Sequence, residues 1–305
     1  MEIYLVQPRG FCAGVRRALD IVDKALAQKG KPIYVRHEIV HNKHIIEDLK
    51  KRGVVFVNEL DEIEDKTRPV ILSAHGTAVS VLQQAKCQKL HVIDAICPLV
   101  ETVHKQIQKL AKENAEIIVI GKATHPEIIG TIGQIDNTTK VYIIATLEDA
   151  ENLMIPEENK IGIVTQTTLS VDETEEIVSY LRKRFKNIIN FNQVNICFAT
   201  TNRQNAVRQL VQKTPNIIII GSKNSSNSTH LKEAALRYGA KRAWLVDDAS
   251  EVDWMTLDQC QSVGISAGAS APEYLVEQLM SFLKQRYNNI NVHNVIMAEE
   301  DISFK

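Results

Sequence analysis

Long apolar runs and aromatic residues are both scarce in this chain of 305 residues. The longest apolar runs, such as residues 217–220, are long enough for a strand but far too short to cross a bilayer. Aromatic residues make up 5% of the chain, and 36 Lys and Arg are balanced by 37 Asp and Glu. Without a broad basic surface or aromatic stacking platforms, we expect no nucleic-acid binding and no membrane association. No apolar signal region precedes Pro8, which predicts a cytoplasmic protein.

The chain also lacks paired cysteines. Its five cysteines are an odd number and none belongs to a C-x-x-C pair, so a disulfide framework is not expected. Cys87 and Cys260 do not lie where a strand-like run meets a polar loop, and we interpret them as small buried apolar residues. The thiols of Cys12, Cys97 and Cys197 remain for other chemistry.

These three cysteines occur in segments with one common order: a strand-like run, the cysteine, and a stretch with helical spacing of apolar residues. The strand-like runs are IYLVQPRGFC, HVIDAIC and NQVNIC. The helical stretches are residues 15–26, 99–111 and 202–211. Successive cysteines are separated by about the length of a small α/β domain. This repetition predicts three similar α/β domains.

Further strand-like runs end in polar loops. These loops are HEIVHNKH and SAHG in the first segment, GKATHPE and TQTTLS in the second, and GSKNSSNS and AGASAP in the third. Ligands of parallel α/β sheets bind at such strand ends, so we predict an α/β fold with three similar domains in a pseudo-threefold arrangement around a central site. The predicted domains are residues 14–96, residues 97–194, and residues 1–13 with 195–287, where the N-terminal strand joins the third domain. Residues 288–305 are predicted as a C-terminal tail.

The strand-end positions of Cys12, Cys97 and Cys197 favour metal ligation over simple burial. Zinc normally takes four close ligands, often as local pairs. Three thiolates without a nearby fourth ligand suit a cubane iron–sulfur cluster, in which one iron stays open to a substrate oxygen. We therefore predict an iron–sulfur cluster at the centre of the three domains.

Polar groups in the strand-end loops are typical of a diphosphate site. His41, His75 and His125 each lie in such a loop, where a single His would often be an ordinary surface residue. Residues 222–228, SKNSSNS, supply neutral donors just before a helix predicted to start near Thr229. An ordinary N-cap turn is the alternative, but six neutral polar residues in seven favour a phosphate cradle.

One carboxyl group also lies in a strand-end loop. Glu127 follows His125 and Pro126, where it could deliver protons or could equally be a solvated residue of a first helical turn. Thr167 and Thr168 could hold or relay protons to this carboxyl, or could be turn residues.

At these loops the sequence resembles the 4-hydroxy-3-methylbut-2-enyl diphosphate reductase family, which completes the non-mevalonate pathway of isoprenoid biosynthesis. The resemblance covers almost the whole chain, with the motifs in the family's order. They are PRGFCAGV, VHN, SAHG, CPLV, HPE, TQTTLSVDET, ICFAT, NRQ, GSKNSSNS and AGAS. Two positions depart from the family, since Ile96 replaces the usual Thr and Thr201 replaces the usual Gln.

The resemblance implies an iron–sulfur oxidoreductase with one 4Fe-4S cluster, held by Cys12, Cys97 and Cys197. It implies the reductive dehydroxylation of 4-hydroxy-3-methylbut-2-enyl diphosphate to isopentenyl diphosphate and dimethylallyl diphosphate. The electrons would come from a ferredoxin or a flavodoxin.

The resemblance also implies roles for individual residues. The catalytic residues would be Glu127, as the acid, with Thr168 and His125. The residues that hold the substrate would be His41, His75, His125, Thr168, Ser225, Ser226, Asn227 and Ser270.

Two other functions are compatible with the three cysteines alone. A non-catalytic iron–sulfur sensor or binding module would need the cluster but neither a diphosphate cradle nor an adjacent acid. A transferase with a cysteine nucleophile would need no cluster and would be colourless.

Overall fold

The fold is that of a computed structural model, which describes residues 1–189, 195–298, 300 and 302–304. These residues contain twelve strands: β1 Glu2–Gln7, β2 Ile33–Arg36, β3 Val54–Val57, β4 Pro69–Leu72, β5 His91–Asp94, β6 Glu116–Ile120, β7 Val141–Ile144, β8 Ile161–Thr165, β9 Asn216–Ile220, β10 Arg242–Val246, β11 Ser262–Ala267 and β12 Asn291–Ile296. The same residues contain eleven α-helices: α1 Ala13–Lys29, α2 Lys43–Lys51, α3 Val79–Cys87, α4 Pro98–Lys112, α5 Pro126–Ile132, α6 Leu147–Glu151, α7 Val171–Arg184, α8 Phe198–Val211, α9 Ser226–Arg237, α10 Trp254–Leu257 and α11 Glu273–Arg286. None of the helices in this described part of the chain is long and apolar enough to span a membrane.

The chain forms two compact units. The first unit consists of Met1–Arg16, His41–Glu47 and Phe198–Ser303, and it contains one five-stranded sheet in the order β10-β9-β11-β1-β12. The second unit holds most of the rest, Arg17–Val40 and Asp48–Cys197. It contains a four-stranded sheet, β3-β2-β4-β5, and a three-stranded sheet, β7-β6-β8. The strands of all three sheets pair in parallel.

An inner strand of the five-stranded sheet, β9, is buried on both faces. In β9, Ile218 and Ile220 pack into one apolar cluster with residues of α11, whereas Ile217 and Ile219 pack into another with residues of α8 and α9. Alternate side chains of a strand point to opposite faces of its sheet. A run of four isoleucines therefore supplies both cores, as is typical of parallel sheets with helices on both sides.

In the second unit, β6 repeats this arrangement. Ile118 and Ile120 pack into a cluster with residues of α7, and Ile117 and Val119 pack into a cluster with residues of α4. Because the apolar runs end where each strand leaves the core, the polar loops that follow lie at the carboxyl edges of the sheets.

The predicted strands and helices are confirmed except in the NQVNIC run, whose described residues Asn195 and Ile196 belong to no strand. The runs before Cys12 and Cys97 form β1 and β5, and the helical stretches after the three cysteines form α1, α4 and α8. Residues 192–194 of the NQVNIC run lie outside the described residues. The α/β class is confirmed, with three parallel sheets, one in the first unit and two in the second.

The C-terminal tail predicted at 288–305 must be corrected, because part of it is strand β12. This strand pairs with β1 along its length, at the edge of the five-stranded sheet. His293 stacks on Tyr4 with 5.0 Å between ring centroids, and Asn291 Nδ2 donates to Glu2 Oε1 at 2.7 Å. Most residues of β12 are exposed, so no alternation of buried and exposed side chains marks it in the sequence.

The segment His41–Glu47 belongs to the first unit, although it was predicted within the domain at 14–96. Two serines of the first unit hold its backbone. Ser270 Oγ donates to the carbonyl oxygen of His41 at 2.9 Å, and the Lys43 N–H donates to Ser222 Oγ at 3.2 Å. Periodicity in the sequence cannot show such contacts, because loop residues far apart along the chain make them.

Candidate functional site

The three cysteines share one backbone arrangement. Each is half-buried and directly precedes a helix, namely α1, α4 or α8. Each cysteine N–H donates to a carbonyl in a loop after a strand: Cys12 to Ala269 at 3.1 Å, Cys97 to Ala74 at 3.0 Å and Cys197 to Thr167 at 3.1 Å. Each cysteine therefore stands at the N-terminal boundary of a helix, where N–H groups that have no partner within the helix favour negative charge.

The candidate acid Glu127 is buried, with 2% of its surface exposed, in the first turn of α5. Its carboxyl accepts two hydrogen bonds from one residue: the Thr167 N–H donates to Oε1 at 2.7 Å and the Thr167 hydroxyl donates to Oε2 at 2.9 Å. The carbonyl of Thr167 also accepts the hydrogen bond from Cys197. Thr167 therefore connects the acid to a cysteine loop through three of its own polar groups.

Burial raises the pKa of Glu127 from 4.5 to about 7, although the two bonds from Thr167 act in the opposite direction. Removal from water penalises the charged carboxylate more than two hydrogen bonds can offset. A carboxyl with a pKa near neutrality holds and releases a proton readily at physiological pH, as a general acid must.

Between the two candidate threonines, Thr167 is the one that contacts Glu127. The hydroxyl of Thr168 instead accepts a hydrogen bond from Gln166 Nε2 at 3.0 Å. Thr168 is half-buried, whereas Thr167 is buried. The resemblance assigned the assisting role to Thr168, so Thr167 is a residue that the catalytic set omitted.

Two of the predicted substrate-binding histidines lie together in the second unit. The rings of His75 and His125 meet edge to face, with 5.9 Å between their centroids. His125 caps α5, and its Nδ1 accepts the N–H of Glu127 at 3.2 Å. Because Nδ1 accepts, the proton of the neutral ring lies on Nε2, which can donate to an anion.

The ring of another histidine, His104, packs against the loop that carries His75. A Cβ atom at Gly76 would lie 2.5 Å from His104 Cε1, and Gly76 has φ +84°, so only glycine fits there. His104 is buried in α4, and burial lowers its pKa to about 4. This neutral ring occupies the space that a side chain at Gly76 would need. The side chain of Ile96 also packs there, with Cδ1 3.2 Å from the same Cβ position.

The serines and the asparagine predicted to bind diphosphate lie together in the first unit. Ser225 and Ser270 are buried, with their Oγ atoms 3.4 Å apart, and Ser270 also donates to His41 as described above. Asn227 Oδ1 accepts the N–H of Ala269 at 2.8 Å. Since the carbonyl of Ala269 accepts from Cys12, Asn227 connects the candidate cradle to that cysteine loop.

Helix α9 begins earlier than predicted, at Ser226, and Ser225 caps it by accepting the N–H of Ser228 at 3.4 Å. Ser225 is therefore the N-cap residue, and Ser226 and Asn227 form the first turn. A capping hydroxyl can still donate its proton to an anion, so the cap and the predicted phosphate cradle are compatible. Cβ atoms at Gly221 and Gly268 would lie 2.2 Å and 2.0 Å from the hydroxyl oxygen of Ser228. The absence of both side chains allows the helix N-terminus to approach the ends of β9 and β11.

The predicted residues are divided between the two units. The first unit contains Cys12, His41, Ser225, Ser226, Asn227 and Ser270. The second unit contains Cys97, Cys197, His75, His125, Glu127 and Thr168. Within the described residues, no three His, Cys, Asp or Glu side chains form a group that could hold a single metal ion.

The family model of the LytB protein matches residues 3–284 of this chain. The chain belongs to the LytB protein family. Members of this family depend on an iron–sulfur group.

Two curated relatives match the whole of this chain and nearly all of their own length. A protein from Methylocella silvestris named 4-hydroxy-3-methylbut-2-enyl diphosphate reductase is 46% identical over 304 residues, which cover 100% of this chain and 95% of the relative. A protein of the same name from Alcanivorax borkumensis is 47% identical over 306 residues, which cover 100% of this chain and 97% of the relative.

Solved structures of LytB-like reductases share the fold. The E-1-hydroxy-2-methyl-but-2-enyl-4-diphosphate reductase from Plasmodium falciparum is 35% identical with a TM-score of 0.91, covering 98% of this chain and 93% of that one. The structure of another, called the terminal enzyme of the non-mevalonate pathway, is 31% identical with a TM-score of 0.65. It covers 93% of this chain and 99% of that one.

The donor set of this LytB chain fits an iron–sulfur group. All five cysteines are in the described part of the chain, and none of them forms a disulfide. Cys12, Cys97 and Cys197 are half-buried at helix N-termini, whereas Cys260 is buried in an apolar cluster and Cys87 is exposed at the end of α3. The interpretation of Cys260 as a buried residue is confirmed, and that of Cys87 is wrong, because α3 presents it to solvent.

Arg203 is a residue of the LytB NRQ motif that the predicted site omitted. It is 1% exposed in α8, where Ala199, Ala206 and Val207 are also buried. Its position at helical spacing on the apolar face was a signal in the sequence, because a charged residue there must have a buried partner.

Replacing Glu127 by Gln should stabilise the protein at alkaline pH but not at acid pH. The pKa is about 7 in the folded state against 4.5 in water, so wild type loses stability as pH rises from 4.5 through 7, when the buried group becomes charged. The neutral amide avoids this cost, which is on the order of 3 kcal/mol above pH 7. Melting temperatures of the anaerobically purified variant and wild type should differ most at pH 8 and converge near pH 4.5.

Glu148 provides the control, because it is an exposed first-turn residue of α6. Replacing it by Gln should shift the melting temperature equally little at both pH values. A difference between Glu127→Gln and wild type that did not change with pH would show that the carboxyl is not buried as described.

Proposed function

We propose that this chain reduces 4-hydroxy-3-methylbut-2-enyl diphosphate to isopentenyl diphosphate and dimethylallyl diphosphate. The observation that carries the proposal is the bridge made by Thr167. This residue donates two hydrogen bonds to the buried carboxyl of Glu127 and accepts one from the amide of Cys197. A proton donor with a pKa of about 7 is thereby linked through Thr167 to the loop of Cys197, a candidate metal ligand.

Cys12, Cys97 and Cys197 are the proposed ligands of one 4Fe-4S cluster. Thiolates of such a cluster bind different iron atoms, so they need not converge on one point as the ligands of a single ion do. When bound, the cluster supplies electrons one at a time and a Lewis-acidic iron that has no protein ligand. The equivalent backbone bonds of the three cysteines support the predicted threefold repetition of the domains.

The reaction replaces a C–OH bond by a C–H bond. It consumes two electrons and two protons and releases one water molecule. Glu127 is the proposed source of the proton that leaves with the hydroxyl, and Thr167 holds its carboxyl in place. The second proton adds to either end of the allylic system, which accounts for two products.

The diphosphate is the proposed ligand of the strand-end loops. Nε2 of His125 can donate to it, because Nδ1 of that ring already accepts a hydrogen bond. His75 lies against His125, and the hydroxyls of Ser225, Ser226 and Ser270 lie at or near the N-terminus of α9. Neutral donors and a helix N-terminus together suit a phosphate anion.

The remaining members of the proposed binding set are His41, Asn227 and Thr168. We further propose that a ferredoxin or a flavodoxin delivers the electrons and that the protein works in the cytoplasm, as the sequence predicts.

Anaerobic purification with iron and sulfide analysis, a visible spectrum and a turnover assay tests the function. We expect about four iron and four sulfide per chain, a brown protein and consumption of the diphosphate with a chemical reductant. A complete cluster without turnover would favour the sensor, and a colourless active protein would favour a cysteine nucleophile.

A further inference from the structure

The loop of Cys12 is held by an arginine from another part of the chain. Arg203 Nε and Nη2 donate to the carbonyl oxygen of Gly10 at 3.1 Å and 2.8 Å. Gly10 lies two residues before Cys12, and Arg203 lies on α8, the helix that begins directly after Cys197. A guanidinium with two donors on one oxygen fixes the orientation of that peptide.

An arginine also holds the backbone of the Cys97 loop, here through one hydrogen bond. Arg17 Nη1 donates to the carbonyl oxygen of Ile96 at 2.9 Å. Ile96 lies directly before Cys97, and Arg17 lies on α1, the helix that begins directly after Cys12.

A third contact holds the loop of Cys197. Asn195 Nδ2 donates to Gln106 Oε1 at 2.6 Å, and the backbone N–H of Asn195 donates to Thr165 Oγ1 at 3.0 Å. Asn195 lies two residues before Cys197, and Gln106 lies on α4, the helix that begins directly after Cys97.

The three contacts follow one cyclic rule along the chain. The helix after Cys12 holds the loop of Cys97, the helix after Cys97 holds the loop of Cys197, and the helix after Cys197 holds the loop of Cys12. We propose that Arg17, Gln106 and Arg203 are positioning residues that set the backbone, and thereby the sulfur, of each cysteine ligand. The inference rests on the proposed function, because it assumes that the cysteines bind the cluster.

The role of Arg203 extends to the C-terminal segment. Its Nη1 lies 3.0 Å from the carboxylate of Glu300, and Asn202 Nδ2 donates to the same carboxylate at 3.1 Å. The side chains of Arg203 and Glu300 are 1% and 8% exposed, so the pair is buried. Removal of Arg203 leaves the negative charge of Glu300 uncompensated near the Cys12 loop, and removal of the Glu300 charge leaves the positive charge of Arg203. A nearby negative charge lowers the reduction potential of an iron–sulfur cluster, and a positive charge raises it.

Arg203→Met, Glu300→Gln and Gln106→Leu in the anaerobically purified holoprotein test the inference. Chelator-driven iron release should be about 10- to 100-fold faster in Arg203→Met than in wild type, because partners that orient metal ligands typically contribute that much. The midpoint potential should fall in Arg203→Met and rise in Glu300→Gln. Arg203→Lys, which keeps the charge but not the paired donors, should restore the potential more than the iron retention.

Arg184→Met is the matched control. Arg184 on α7 also donates to main-chain carbonyls, those of Ala150, Glu151 and Leu153, but it contacts none of the three cysteine loops in the described chain. Its replacement should lower the melting temperature without changing iron release, the potential or the electron paramagnetic resonance spectrum.

Equal iron release and equal spectra in Arg203→Met and Arg184→Met would overturn the inference and leave the proposed function intact. If Arg203→Met does not fold, Gln106→Leu decides by the same readouts, because it removes no charge and leaves Asn195 bonded to Thr165. A wild-type protein that binds no cluster would overturn the proposed function together with the inference.

Discussion

Replacement of any one of Cys12, Cys97 and Cys197 by Ser should remove most of the iron and lower turnover at least about 100-fold. Iron–sulfur clusters prefer soft thiolate ligands, and a serine hydroxyl is a poor substitute because it is harder and remains protonated at pH values where a thiol ionises. The backbone of each site should survive, because the N–H of the new serine can still donate to Ala269, Ala74 or Thr167. Iron and sulfide counts, the visible spectrum and anaerobic turnover measure the effect in the three variants.

Cys87→Ser and Cys260→Ala are the controls in the same protein. Cys87 is exposed, and Cys260 packs in an apolar cluster with its thiol donating to the carbonyl of Thr256 at 3.4 Å. Both variants should keep the full cluster, and Cys260→Ala should lose only a little stability. If either variant lost the cluster while one of the other three kept it, the proposed ligand set would be wrong.

Strands that are buried on both faces are those that the sequence predicts well. In β6 and β9 nearly every residue is an isoleucine or a valine, and consecutive side chains enter cores on opposite faces of the sheet. Such a run has few alternatives to a central parallel strand. An exposed edge strand has no such pattern, which is why β12 was missed.

The pKa of Glu127 and the start of α9 could not be predicted from the sequence, because both depend on contacts between residues that the local sequence pattern does not reveal. Glu127 was equally compatible with a solvated turn, and only its burial against Thr167 raises its pKa. The start of α9 was misplaced because Ser and Asn are favoured both as caps and in the turn before a helix. Candidate residue types were thus predictable, whereas their partners required the tertiary structure.

Replacing Glu127 by Gln should lower anaerobic turnover by about 100- to 10,000-fold, because a positioned general acid contributes that much. The amide has nearly the same shape and keeps an oxygen for the N–H of Thr167, but it cannot release a proton to the leaving hydroxyl. Iron content and the spectrum should remain those of wild type. Loss of the cluster in this variant would mean that Glu127 acts on the metal site and not on proton transfer.

The pH profile distinguishes an acid from a merely structural carboxyl. The proton-donating form of Glu127 is abundant below a pKa of about 7 and is lost above it, so the turnover of wild type should fall as pH rises through 7. The residual turnover of Glu127→Gln should not show this fall, whereas Glu148→Gln should keep both the rate and the profile of wild type. Thr167→Val removes the hydroxyl that donates to the carboxylate, so it should move the fall to higher pH. A fall that appeared unchanged in Glu127→Gln would assign the titration to another group and remove Glu127 from the proton path.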